Sequence, residues 1–295
     1  MTLNISPLQT QQPSFVAEAS GIDLRQRLAA STIAEIDVAM DQYAVLVFRD
    51  QPLDQGQQIA FSRQFGPLDA GLRKATGAAT RFQHEELIDI GNVALDGSVA
   101  APDNKKLIGV LANQLWHSDS SFMNPRAAYS MLHAVITPSW GGNTEFADLR
   151  AAHDALDART LADIQGQSAE HFALHTRLLL GDDAYTDAQK QEIPPAVWPL
   201  VDTHAGSGRK VLFVGVHARH IVGWPVAESR MLLLDLLEHA TQRQFVYTHE
   251  WQPGDLVIWD NRSTLHRGRR YDIAERRELR RTTINDTPEA MLLAA

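Results

Sequence analysis

Cysteine is absent from the 295 residues, which excludes disulfides, thiolate metal sites and a cysteine nucleophile and fits a reducing compartment. No apolar run reaches the about 18 residues that a membrane-spanning helix needs. The start, Met1-Thr2-Leu3-Asn4-Ile5-Ser6-Pro7, also lacks the basic stretch and apolar core of an export signal. A soluble, cytoplasmic protein without a membrane partner is expected. Positive charge is scarce as well: 27 Lys and Arg stand against 36 Asp and Glu, for a net charge of −9. That balance disfavours nucleic acid and leaves room for a small anion that meets a local basic pocket. Internal repeats and low-complexity tracts are missing, so solenoid and linker architectures drop out. What remains is a chain with 44% hydrophobic residues, enough to bury one large core as one domain over 1–295.

Strand signals dominate, with helices in particular places. Val45-Leu46-Val47-Phe48 reads as a buried strand, and residues 57–65 as an amphipathic helix stopped by Gly66-Pro67. A β run over 126–137 closes at Pro138, Trp140-Gly141-Gly142 forms a turn, and Asp148 can cap a helix reaching about Asp157. A longer helix is predicted over 225–241. Further strands fall at 211–214, 245–247, 256–259 and 280–284, with Pro253-Gly254-Asp255 as a turn. Residues 68–105 carry few strand signals and are long for a loop in a compact domain, which predicts a lid over a site.

The chemistry concentrates in His117-Ser118-Asp119 and, far downstream, His266. Residues flanking a third on an extended segment share a face, so an imidazole and a carboxylate can bind one metal from one strand end. A second imidazole from a distant strand completes two histidines and a carboxylate on one face of an octahedral ion. The opposite face stays open, and on ferrous iron open positions mean oxygen chemistry. With twelve histidines in the chain, chance H-x-D pairs are common, and further residues must support a metal site. Thr144 lies in Gly141-Gly142-Asn143-Thr144-Glu145-Phe146, while Arg277 and Arg281 follow His266 at set intervals. On an extended strand over 276–284, Arg277, Leu279, Arg281 and Thr283 share one face; Arg276, Glu278 and Arg280 share the other. The second face, with Arg267, is expected to be solvated. A planar guanidinium grips a carboxylate with two parallel hydrogen bonds, so Arg277 and Arg281 match two anionic ligands.

This spacing resembles the taurine and 2,4-dichlorophenoxyacetate dioxygenase family of Fe(II)- and 2-oxoglutarate-dependent oxygenases, over about residues 15–287. The segments Asn113 to Phe122, Thr203-His204-Ala205-Gly206-Ser207-Gly208-Arg209-Lys210 and Trp259-Asp260-Asn261-Arg262 are most similar to its 2,4-dichlorophenoxyacetate branch. The resemblance implies a mainly β fold with peripheral helices, a double-stranded β-helix or jelly roll whose mouth holds the metal. It implies Fe(II) on His117, Asp119 and His266, with 2-oxoglutarate as co-substrate and O2 as oxidant. The position matching Arg277 pairs with the distal carboxylate of 2-oxoglutarate, helped by the hydroxyl matching Thr144. The position matching Arg281 holds the anionic end of the primary substrate, and Asn113 lies beside that substrate.

Lys74, in the expected lid, matches a position used for substrate contact in that branch, although an exposed lysine is the ordinary reading. His217 follows a strand that reaches the barrel mouth and is kept as a substrate contact. His171, His175 and His220 read as satisfied structural histidines. Trp116, Trp251 and Trp259 read as packing. Ser98 departs from the branch, which carries a lysine there, and this bears on substrate preference. The expected reaction is hydroxylation of a small anionic aromatic substrate, an aryloxyalkanoate such as 2,4-dichlorophenoxyacetate, by a homo-oligomeric enzyme. The rivals are a sulfonate dioxygenase with the same iron, a zinc hydrolase and a non-enzymatic jelly-roll binding protein.

Overall fold

The computed structural model describes residues 2–9, 11–69, 79–102, 104, 106–181, 186 and 193–287. Its main sheet has seven strands in the order β1 (Asn4–Pro7), β2 (Val16–Ser20), β3 (Val45–Phe48), β13 (Leu256–Asp260), β5 (Ala127–Ile136), β15 (Glu278–Asn285) and β4 (Ile88–Gly91). Among the described residues only the β2–β3 pair is parallel. A second sheet orders β12 (Val246–His249), β6 (Thr144–Asp148) and β14 (Thr264–Gly268). Smaller sheets follow: β11 (Ala218–Ile221), β7 (Ser168–His171) and β8 (Ala196–Pro199), then β10 (Lys210–Leu212) with β9 (Val201–Thr203).

The apolar runs of the central strands have both faces covered, and side-chain parity divides them between two cores. Val45, Val47, Leu132, Val257 and Trp259 point inward, where they meet Phe146 of β6. Leu46, Phe48, Met131, Leu256 and Ile258 point outward, where α1 (Ala30–Tyr43) adds Ile36, Ala39, Met40 and Tyr43 and α2 (Gln55–Ser62) adds Phe61. Helices also cover the outer face of the second sheet. There α4 (Leu149–Asp154), next after α3 (Lys106–Ala112), and α7 (Val226–Ala240), after α5 (Ala158–Ile164) and α6 (His175–Leu179), pack Leu149, Leu233 and Leu236 against Ala147 and Leu265. The result is a jelly roll, as expected. Asp148 caps α4 by accepting from the backbone of Arg150 and Ala151.

Two expectations need correction. Glu278 and Arg280 are not on a solvated face, because α2 and the chain leading into it lie over that side of β15, and both residues are buried. Arg280 Nη2 donates to Leu53 O at 2.6 Å and stands 3.0 Å from His133 Nδ1, while Gln58 Nε2 donates to Arg280 O at 2.8 Å. Glu278 pairs with Arg81 at 2.9 Å and Arg276 at 2.8 Å. The segment 68–105 also holds a strand, since β4 pairs along β15 from Gly91↔Glu278 to Ile88↔Arg281.

Candidate active site

Two backbone hydrogen bonds build the site before any side chain is considered. His117 N donates to His266 O at 3.0 Å, and His266 N returns one to His117 O at 2.9 Å. Asn113 O accepts from Gly268 N at 2.7 Å, so the segment 113–117 runs along the free edge of β14. Ser118 points away and donates to Thr264 O at 2.8 Å. The alternation then leaves His117 and Asp119 together, as the H-x-D spacing predicts.

His117 Nδ1 stands 2.7 Å from Leu115 O. A carbonyl only accepts, so Nδ1 carries the proton and the Nε2 lone pair faces the site. That Nε2 lies 3.8 Å from Asp119 Oδ1, and His266 Nε2 lies 3.8 Å from Asp119 Oδ2. One donor atom from each of the three residues lies within 4.8 Å of the others. Burial keeps both imidazoles neutral by lowering their pKa values. Burial alone would raise Asp119, but the Arg281 guanidinium, helped by the Ser130 hydroxyl, outweighs it and holds the carboxyl at about 2. Two neutral imidazoles and one ionised carboxylate are the donor set a divalent ion takes without displacing protons.

The adjoining cavity is lined by Ile90, Asn113, Leu132, Thr144, Arg277 and Arg281 among others. Arg277 is only 6% exposed. Its guanidinium donates to Ile90 O at 3.2 Å and Gly142 O at 3.1 Å, and its Nε has no partner. No carboxylate among the described residues pairs with it, and burial pushes its pKa down to about 10. A buried cation in this state fits an anionic ligand such as a 2-oxoglutarate carboxylate. Gly142, at φ 70°, permits the approach: a Cβ there would stand 3.1 Å from Arg277 Nε. Trp251 Nε1 donates to Thr144 Oγ1 at 2.9 Å. An indole N–H only donates, so the Thr144 hydroxyl proton is free for a ligand.

The structure thus gathers His117, Asp119, His266, Thr144, Arg277, Arg281 and Asn113 around one cavity. Arg281 pairs with Asp119 Oδ1. His217 is buried beside the metal ligands, its ring 6.0 Å from His117 and 4.9 Å from Phe122. Lys74 lies outside the described residues. Ser98 sits in an exposed turn, bonded to Asp96 at 2.7 Å, away from the cavity lining. His171 is not a satisfied histidine, since it stacks on Phe213 with neither ring nitrogen hydrogen-bonded. Trp251, Ser130 and Asn261 also hydrogen-bond to site residues, roles that composition and spacing do not signal.

Jelly roll, open three-residue donor set and unpaired buried guanidinium together define a mononuclear non-haem iron oxygenase. Comparison with known proteins narrows this. Residues 4–283 match the model of the family described as "Taurine catabolism dioxygenase TauD, TfdA family", and the chain belongs to that family. It is 57% identical to the alpha-ketoglutarate-dependent 2,4-dichlorophenoxyacetate dioxygenase of Cupriavidus pinatubonensis, over 97% of this chain and 99% of the relative. It is 36% identical to the (S)-phenoxypropionate/alpha-ketoglutarate-dioxygenase of Sphingobium herbicidovorans, over 97% and 96%. The crystal structure of AAD-2 in complex with Mn(II) and N-oxalylglycine superposes with a TM-score of 0.89 at 45% identity, covering 98% of both chains. The protein is therefore an Fe(II)- and 2-oxoglutarate-dependent dioxygenase that uses O2. The zinc hydrolase and the non-enzymatic binding protein are set aside. No helix among the described residues is long and apolar enough to cross a membrane.

Proposed function

We propose that this enzyme hydroxylates an aryloxyalkanoate such as 2,4-dichlorophenoxyacetate, at the carbon between ether oxygen and carboxylate. The observation that carries the reading is a second guanidinium, Arg281, in the same cavity as Arg277. They stand four residues apart, about 13 Å of extended chain, too far to grip one carboxylate together. Two guanidiniums call for two anions, and Ile90, Val110 and Leu132 on the cavity wall suit an aromatic ring.

In this reading His117, Asp119 and His266 hold Fe(II). When bound, the iron supplies the oxidant from O2 and 2-oxoglutarate, with one oxygen atom passing to succinate as CO2 leaves and the other to the substrate. Arg277 and Thr144 bind the distal carboxylate of 2-oxoglutarate. Arg281, with Asp119 as its counter-ion until substrate arrives, takes the substrate carboxylate, and Asn113 and His217 flank the substrate. From the segment 68–105, Ile90 and Gly91 form part of the cavity wall. The product is a hemiacetal that collapses to a phenol and glyoxylate. The chain works as one catalytic domain and assembles with copies of itself in the cytoplasm.

The test is oxygen uptake with Fe(II), 2-oxoglutarate and a panel of aryloxyalkanoates and sulfonates, with phenol, glyoxylate and succinate measured. Phenol matching succinate with the aryloxyacetates is expected. Turnover confined to sulfonates would replace this reading with the taurine-like one.

A further inference from the structure

Asp119 must offer the metal one oxygen in a fixed orientation, and a carboxylate on a single Cβ can rotate. Three buried residues from two strands of the main sheet and the turn after them close around it. Asn261 Oδ1 accepts from Trp259 Nε1 at 2.9 Å and from Asp119 N at 3.0 Å. Both donors are N–H groups that cannot accept, so the oxygen of the Asn261 amide is placed without ambiguity. Its Nδ2 therefore faces Ser130 Oγ, at 3.0 Å. Ser130 accepts that bond, and its own proton goes to Asp119 Oδ2 at 2.7 Å. Thr283 Oγ1, at 3.5 Å, is a distant alternative. Trp259, Asn261, Ser130 and Asp119 are all at most 4% exposed, so water does not compete. Every donor and acceptor in this chain has one direction.

We propose that Asn261 and Ser130 are positioning residues that set the metal affinity of Asp119: Asn261 orients the Ser130 hydroxyl, and Ser130 pins the Asp119 carboxylate plane. The inference rests on the metal-site reading above and assigns work to two residues of the main sheet and its following turn that touch neither metal nor substrate. It also explains why an asparagine follows Trp259-Asp260. An aspartate of the same shape would still accept from Trp259 and Asp119 N. Its second oxygen, however, cannot donate to Ser130. It would take the Ser130 proton for itself, and Asp119 would lose its bond.

The isosteric change Asn261→Asp thus separates orientation from charge. A carboxylate added near a dication tightens binding by simple electrostatics. Reversal of the Ser130 hydrogen bond loosens it, because partners that orient a metal ligand carry about 10–100-fold in metal affinity. The measurement is Mn(II) affinity of the full-length apo protein, from free Mn(II) in EPR titrations, beside the melting temperature of the same metal-free samples. Ser130→Ala and Asn261→Asp should each weaken Mn(II) binding about 10–100-fold. The double variant should be no weaker than Asn261→Asp alone, since both changes remove one bond. The metal-free Ser130→Ala protein should still fold and melt cooperatively, a few degrees below wild type, because two buried partners lose one bond each. Unchanged affinity in Ser130→Ala, tighter binding in Asn261→Asp, or an affinity loss that appears only with unfolding of the metal-free protein would each overturn the proposal. A wild-type protein that binds no Mn(II) would instead remove the metal-site reading, and this inference with it.

Discussion

Arg277→Met should leave the metal-free fold standing and remove most of the stabilisation by 2-oxoglutarate. Two opposing terms meet at one buried guanidinium. Its fall from the ordinary 12.5 to about 10 corresponds to roughly 3 kcal/mol against burying the cation. At neutral pH the group is charged folded and unfolded alike, so that cost is fully present; it fades only as pH climbs through about 10 towards the unfolded value. Methionine removes the cost and keeps most of the apolar stem. Against this, Ile90 O and Gly142 O lose a donor, at roughly 1 kcal/mol each. The two terms nearly cancel, leaving metal-free stability within about 2 kcal/mol of wild type. The ligand term does not cancel. Losing one partner of a desolvated charged pair costs about 2–5 kcal/mol, which raises the 2-oxoglutarate requirement from roughly thirtyfold to a few thousandfold. Anaerobic thermal melts of the Mn(II)-loaded protein read both terms. Wild type should gain about 2.7 kcal/mol at 2-oxoglutarate one hundred times its Kd, and the variant at most about 0.9 kcal/mol there. A variant that keeps the wild-type 2-oxoglutarate shift, or whose metal-free form loses more than about 4 kcal/mol, would refute the reasoning.

Three further outcomes follow from the site. His117→Ala, Asp119→Ala and His266→Ala should each lose iron-dependent turnover and Mn(II) binding while keeping a wild-type far-ultraviolet dichroism spectrum; near-normal activity in any one removes it from the ligand set. Arg281→Leu should weaken substrate binding and leave slow succinate formation without substrate largely intact, so succinate and phenol are measured separately; a matching fall in 2-oxoglutarate affinity would move Arg281 to the co-substrate site. Trp251→Phe should raise the 2-oxoglutarate requirement less than tenfold, on the order of 1 kcal/mol for one hydrogen bond, with no change in substrate requirement. An unchanged 2-oxoglutarate requirement would show that the Thr144 hydroxyl does not need its indole partner.

The metal and co-substrate residues were legible because their chemistry restricts residue type as well as spacing. Only a His-x-Asp pair, a distant histidine and a guanidinium on the cavity side of a strand meet those needs, and strand parity separated Arg277 and Arg281 from their neighbours. Parity could tell which side Arg280 takes, but not what covers that side; the burial comes from α2, more than 200 residues away in sequence. The strand β4 was hidden because Ile88-Asp89-Ile90-Gly91 is short and interrupted by charge, and its partner β15 lies at the far end of the chain. Ser130 was invisible for a simpler reason. A hydroxyl inside the apolar run Ala127–Ile136 looks like any small residue until the fold brings Asp119 and Asn261 to it.

The reciprocal backbone bonds between His117 and His266 have a consequence for how the enzyme is made and kept loaded. In small zinc-bound modules the ion gathers its ligands from a disordered chain, and so cannot leave without unfolding the protein. Here the peptide groups of the two histidines hold each other, and no bond between them passes through the ion. The approach of the two histidine backbones therefore does not depend on the ion. For an enzyme whose ferrous ion meets oxygen at every turnover, the frame that carries two of its three ligands is thus built from peptide bonds and hydrogen bonds, which oxidation of the ion does not touch.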